Sequence, residues 1–251
     1  MASDLRSTES APRCLAVLPT YNERGNVETL VARLLALPAN VEVMVVDDSS
    51  PDGTANIVEE LAAREPRIHL LCRPGKLGLG SAYLAGFEYA LARDFEAVCT
   101  MDADCSHDPA HLPEMLERFA DADIVIGSRY CSGGRVERFS AARKLNSFVA
   151  NALARSATGL RVRDATSGYR LYRAQLLRRM PLAALRSHGY SMLVELLYEA
   201  NRAGARIVES PIVFKNRASG DSKITFGEIL ESLKTFGQIR TRARSTHRLS
   251  A

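Results

Sequence analysis

Ala97-Val98-Cys99-Thr100-Met101-Asp102-Ala103-Asp104 decides the fold: an unbroken apolar run with a single Thr, then two carboxylates one residue apart. Such a run reads as a strand buried on both faces, and strands of that kind belong to mostly parallel sheets covered by helices. The pattern recurs on either side. Upstream, Cys14–Leu18 is closed by Pro19 and leads through polar Thr20–Asn26 into a helical pattern over Val27–Leu37. Val41–Val46 ends in Asp47-Asp48-Ser49-Ser50-Pro51-Asp52-Gly53, after which Thr54 is placed to cap a helix through Arg64. Ile68–Cys72 is a third strand, and Gly78–Leu91 combines a Gly-rich lead-in with a helix. Downstream, Ile124–Tyr130 and Arg206–Phe214 read as strands, Asn146–Ala157 and Ser191–Ala203 as helices, and Phe226–Ile239 as an amphipathic helix.

Strands alternating with helices predict one doubly covered α/β sheet whose ligand crevice lies at the carboxyl ends of the strands, where each acidic cluster falls. The expected organisation is a polar tail over 1–13, the α/β domain over 14–225, and a helix with a basic tail over 226–251. A length of 251 residues at 46% hydrophobic suffices for one such core. The net charge of +4 is mild and favours anionic partners such as nucleotides, phosphates or an acidic membrane surface; no nucleic-acid partner is expected. The first 13 residues lack an apolar segment, and no run reaches the roughly 18–20 apolar residues of a membrane span, so a cytoplasmic chain with peripheral membrane contact is expected. Five scattered cysteines without CxxC spacing argue against a disulfide framework or a zinc site, and most read as buried thiols.

Carboxylates at i and i+2 past a buried strand are hard donors suited to Mg²⁺ or Mn²⁺ and to the diphosphate oxygens around it. Taken alone, Asp102 and Asp104 read equally well as turn formers ahead of Pro109. Asp47-Asp48 joins a turn rich in Asp, Pro and Gly with carboxylates suited to a base or ribose; a receiver-domain pocket begins similarly, but the second acidic strand end does not fit one. Arg73-Pro74-Gly75-Lys76-Leu77-Gly78-Leu79-Gly80 lacks the Walker ending and the GxGxxG spacing, which excludes a dinucleotide dehydrogenase and leaves a loop where backbone approaches a ligand. His107 reads as a loop residue shaping the turn before Pro109. The Leu145–Leu153 stripe reads as core, or, beside Arg143, as a surface for a prenyl chain.

In order along the chain, Leu18-Pro19-Thr20-Tyr21-Asn22-Glu23, Val46 to Thr54, Lys76 to Gly80, Met101 to His107 and Gly127-Ser128-Arg129-Tyr130 resemble family-2 glycosyltransferases. With Ser167-Gly168-Tyr169-Arg170 and Phe214 to Lys223, the similarity covers residues 14–240 and is closest to the dolichol-phosphate and polyprenol-phosphate mannose synthases. The resemblance implies a GT-A (Rossmann-like) fold and an inverting transfer of mannose from GDP-mannose to a polyprenyl monophosphate; UDP-glucose is the alternative donor. A nonenzymatic nucleotide-sugar scaffold is the remote one, and the presence of Asp102, Asp104, Arg217 and Lys223 speaks against it. By position, the resemblance puts Pro19, Tyr21, Glu23, Asp47, Asp48, Lys76, Gly78, Asp102 and Ala103 at the nucleotide sugar. It puts Asp102, Asp104 and Ser106 at a divalent metal, Mg²⁺ or Mn²⁺, with Ser106 standing where some relatives carry Gln. Arg129, Arg143 and Ser147 fall at the acceptor phosphate, and Asp104, Arg129, Arg217 and Lys223 at the reacting groups. Relatives with C-terminal membrane spans suggest a membrane-embedded partner for a chain lacking them. Arg240, Arg242, Arg244 and Arg248 read as a solvated tail or an anionic-lipid contact.

Overall fold

The computed structural model describes residues 11–137, 139–185, 187, 189, 191–215 and 237. The element order is β1 (Cys14–Thr20), α1 (Val27–Leu35), β2 (Val41–Asp47), α2 (Thr54–Ala62), β3 (Ile68–Cys72), α3 (Leu79–Leu91), β4 (Ala97–Thr100), α4 (Leu112–Phe119) and β5 (Ile124–Ser128). There follow β6 (Arg135–Glu137), α5 (Ala141–Thr158), β7 (Arg170–Arg173), α6 (Ala174–Arg179), α7 (Ser191–Arg202), β8 (Ile207–Pro211) and β9 (Val213–Lys215). Seven strands form one sheet in the order β3-β2-β1-β4-β7-β5-β8, parallel except for β7, and β6 pairs with β9 separately.

Strand periodicity builds two cores. Leu15, Val17, Met44, Val46, Val98 and Ile124 face α3, α6 and α7, whereas Cys14, Ala16, Leu18, Val43, Val45, Cys99 and Val125 face α1, α2 and α4. β1 is the switch strand: the chain leaves it towards β2 and β3, then returns to its other side with β4. β1 pairs with β2 up to Thr20–Asp47, but with β4 only up to Val17–Thr100. The strands therefore part at their carboxyl ends, and Pro19 lies beyond the last β4 partner, where its missing N–H costs no ladder bond.

Several expectations change. β7 was not anticipated, because a segment with arginine at both ends reads as polar; Arg170 is fully buried and donates to the Leu193 and Ala165 carbonyls at 2.6 and 2.7 Å. The strand expected over Arg206–Phe214 is two strands in different sheets. Thr54 is the first residue of α2, and its N–H and hydroxyl donate to Asp52 Oδ1, so Asp52 does the capping. α5 begins at Ala141, capped by Ser140, and the Leu145–Leu153 stripe on it is exposed, not core. Only Cys14 and Cys99 are buried; Cys72 is exposed, and Cys105 and Cys131 are intermediate. Arg13, read as tail, pairs with Glu42 and stacks on Phe95. Arg217, Lys223, the 226–239 helix and the basic tail lie outside the described residues.

α3 carries the Gly-rich loop at its start, and its seat on β1 depends on Gly86, where a Cβ would lie 2.5 Å from Val17 Cγ1. In an exposed helix Gly→Ala gains up to ~1 kcal/mol. Here overpacking, typically ~1–3 kcal/mol, outweighs it. Gly86→Ala is expected to lower unfolding free energy in a denaturant titration; an increase would mean that α3 slides on β1 without strain.

His111 ties β9 to the turn before α4, its Nε2 accepting the Val213 N–H at 3.0 Å. Burial pulls its pKa below 6.5, against the raising effect of Asp108 and Glu114. Because the folded state binds the proton more weakly than the unfolded chain, this anchor is complete above 6.5 and is lost as pH falls through the lowered folded value. The hydrogen-exchange protection factor of the Val213 amide should therefore fall on acidification below 6.5. In His111→Phe it should start low and lose that dependence; an unchanged profile in the variant would refute the anchor.

Candidate active site

The chain leaves β4 into a tight acidic turn. The Asp102 N–H donates to His107 Nδ1 at 3.1 Å, so that nitrogen carries no proton. His107 packs against the rings of Tyr169 and Phe214, centroids 5.3 and 5.2 Å away, and burial holds its pKa down despite Asp102 and Asp104 nearby. It is a neutral post beneath the turn, as its loop position suggested. Cys105, at φ +60, reverses the chain so that Ser106 donates its N–H (3.0 Å) and hydroxyl (2.6 Å) to Asp104 Oδ1. Ser106 thus orients Asp104. Ala103 is buried within the turn.

Asp102 is held from two further sides. The Tyr83 hydroxyl on α3 lies 3.4 Å from Asp102 Oδ1, and a Cβ at Gly168 would stand 3.4 Å from that oxygen. Thr100 fixes the Gly168 carbonyl at 2.8 Å. Lys215 closes the turn, donating its N–H to the Ser106 carbonyl at 3.1 Å, with its amine 3.6 Å from Asp108.

Next to this turn, the ends of β1 and β2 are laced to the Gly-rich loop. Asp47, fully buried, accepts from the Thr20 hydroxyl (2.7 Å), the Ser50 hydroxyl (2.6 Å) and the Ser50 N–H (2.8 Å). Asp48 pairs through Oδ1 with Arg73 Nε at 2.6 Å and accepts the Leu77 and Gly78 N–H groups on Oδ2 at 3.1 and 3.2 Å. Arg73 in turn donates to the Ser81 hydroxyl and the Gly78 carbonyl. Gly78, at φ +91 and ψ 160, occupies a region that is essentially glycine-only. Lys76 reaches back over the Tyr21 ring at 4.5 Å, and Glu23 donates its N–H to Thr54 and accepts from Asn26. Both Asp47 and Asp48 therefore spend their carboxylate oxygens on the chain itself, fixing the strand ends and the Gly-rich loop.

Across the crevice, Arg129 follows β5. Its Nε and Nη2 form a bidentate pair with fully buried Asp164, both at 2.7 Å, and Nη2 also reaches the Thr166 hydroxyl at 2.9 Å. Burial would raise the Asp164 carboxyl, but the Arg129 charge and hydrogen bonds leave it below the usual range. Arg129, expected at the acceptor phosphate, thus has its charge matched by Asp164 within the chain. Above it, the Tyr130 hydroxyl and Ser147 are 2.7 Å apart, and Arg143 stacks on Phe139 at 4.1 Å.

Phe214 joins the two sides: its ring centroid lies 5.2 Å from that of His107 and 5.4 Å from Arg129 Cζ. Arg73, Tyr83 and Asp164 escaped sequence reasoning. In the sequence Arg73 reads only as the start of the Gly-rich loop; the register that sets it beside Asp48, Cys72 against Asp47, is a property of the folded sheet. Among the described residues no cluster of three or more His, Cys, Asp or Glu could hold a metal. Asp102 and Asp104 are thus a partial, hard-oxygen ligand set of the kind Mg²⁺ or Mn²⁺ completes with substrate phosphates and water.

Residues 15–180 match the family described as glycosyl transferase family 2. An undecaprenyl-phosphate mannosyltransferase of Micrococcus luteus is 42% identical over 221 residues, 88% of this chain and 91% of that protein. A polyprenol monophosphomannose synthase of Mycolicibacterium smegmatis is 40% identical over 232 residues, 92% and 88% respectively. Among solved structures, the Mycobacterium tuberculosis glucosyl-3-phosphoglycerate synthase with Mn²⁺, UDP and glucosyl-3-phosphoglycerate superposes with a TM-score of 0.64 at 20% identity, covering 92% of this chain and 80% of that one. A Pyrobaculum calidifontis mannosyltransferase with GDP-Man and Mn²⁺ gives 0.57 at 17%, covering 94% and 76%. These likenesses bear on the fold, which is GT-A; the family match over residues 15–180 and the two relatives at 40–42% identity show that the chain belongs to glycosyl transferase family 2.

Proposed function

We propose that this enzyme transfers mannose from GDP-mannose to a polyprenyl monophosphate, inverting the anomeric centre to give β-linked polyprenyl-phosphate mannose and GDP. The observation that carries the reading is the pairing of Asp102 and Asp104 at the parting of β1 and β4, in a chain 40–42% identical to two named polyprenyl-phosphate mannosyltransferases. The acceptor phosphate is already an anion at neutral pH, so alignment and charge neutralisation suffice for attack, with no dedicated base. A neutral His107 whose Nδ1 is used on Asp102 suits such a site. Asp48 and Arg73 set the Leu77–Gly78 backbone for the nucleotide, with Pro19, Tyr21, Glu23 and Lys76 around it, while Asp47 braces the strand ends. Asp102 and Asp104, the latter oriented by Ser106, would hold the divalent metal. When bound, the metal would supply Lewis-acid stabilisation of the departing diphosphate. Arg143 and Ser147 would receive the acceptor phosphate above the Arg129–Asp164 floor, and Arg217 and Lys223 would add charge. The enzyme would work peripherally at the cytosolic face of a membrane, with a membrane-embedded partner near its acceptor.

A radiolabel assay crossing GDP-mannose and UDP-glucose with polyprenyl phosphate, with and without Mg²⁺ or Mn²⁺, tests this directly. Metal-dependent transfer from GDP-mannose is expected, and no lipid product from either donor would overturn the reading. Asp104→Asn keeps an oxygen for Ser106 to donate to, so it should fold normally yet lose transfer by roughly 10²–10³-fold.

A further inference from the structure

α5 is inside out for a helix of a water-soluble domain. Its buried face carries Ser147 in part and Asn151, Ala154 and Thr158, and Asn151 Nδ2 reaches the Ser147 carbonyl and the Thr166 hydroxyl that also receives Arg129. Its outer face carries Leu145, Phe148, Val149 and Leu153, exposed by 62, 65, 46 and 39%. Recurring at 145, 148, 149 and 153, these form one stripe on a 3.6-residue repeat. Leu77 is the other large apolar side chain among the described residues that is exposed. A stripe of this kind marks an interaction surface.

The charge around it selects the partner. Residues 138–163 contain six Lys or Arg and no Asp or Glu, with Arg143, Lys144 and Arg155 on α5 itself. A basic border around an apolar stripe suits the headgroup and acyl boundary of an anionic bilayer, where apolar burial and electrostatic attraction act together. No helix among the described residues is long and apolar enough to cross a membrane. We propose that α5 lies in the surface of an anionic bilayer with Leu145, Phe148, Val149 and Leu153 inserted. Its inner face then holds Tyr130, Ser147 and the Arg129–Asp164 pair at headgroup depth, where a lipid phosphate sits. This rests on the lipid-acceptor reading above and adds which surface meets the bilayer.

The test is flotation of the full chain with vesicles containing no polyprenyl phosphate, so that it reads docking without catalysis. Binding to phosphatidylglycerol-containing vesicles should exceed binding to pure phosphatidylcholine and weaken with salt. Leu145→Ser/Phe148→Ser should cut binding roughly tenfold or more. Its melting temperature should be unchanged, since these side chains support no core, and its transfer to a water-soluble short-chain prenyl phosphate should match the parent. A parent that does not float, or a variant that floats equally, overturns the proposal. So does a variant whose only change is loss of self-association by light scattering, which would make the face a contact between copies of the chain. Absence of transferase activity with α5-dependent flotation would instead sink the catalytic reading and leave this one standing.

Discussion

The site depends on the early parting of β1 from β4. Hydrogen bonding carries β1 alongside β2 to Thr20 but releases β4 three residues sooner, at Val17. Parallel strands point all their carboxyl ends one way, so the parting opens between two acidic turns. The Met101 N–H still reaches the Val17 carbonyl at 3.3 Å, and the next N–H, that of Asp102, goes to His107, the contact that sets the direction of the turn. The topology supplies the crevice, and local hydrogen bonds only trim it.

Two buried ion pairs do that trimming. Asp48–Arg73 folds the Gly-rich loop onto β2, and Arg129–Asp164 floors the opposite wall. Burying such pairs gains little net stability, because desolvation offsets the attraction, but removing one partner strands a charge at a cost of ~3–5 kcal/mol. Their contribution is therefore positional: Asp48–Arg73 fixes the Leu77–Gly78 backbone, and Arg129–Asp164 fixes the chain that follows β5. Arg170 does comparable positional work through neutral acceptors, its guanidinium resting on the Leu193 and Ala165 carbonyls and the Tyr172 hydroxyl.

Much of this was legible in the residues. The apolar runs before Pro19, Asp47 and Asp102 announced β1, β2 and β4 because strands covered on both faces need no polar alternation. β7 was hidden for the opposite reason: its arginines are satisfied by backbone carbonyls that only the folded chain brings near. Asp164 was hidden likewise, 35 residues from the arginine it pairs with. The apolar stripe of α5 was visible as a stripe, but periodicity reports that one face differs from the other, not which way it points. That required the neighbours of Ser147 and Asn151.

β7 also imposes an order on assembly. It lies between β4 and β5, antiparallel to both, although both precede it in the chain. As synthesis proceeds, β1 to β4 can close as a parallel unit once residue 104 has emerged. β5 finds its place only after residues 170–173 arrive, and its outer partner β8 comes later still. The nascent protein thus carries the acidic turn on a formed half-sheet with an open edge at β4, and sheet completion waits on an insertion rather than an addition. A slow step in refolding would be sought there, in the non-local closure that seats β7.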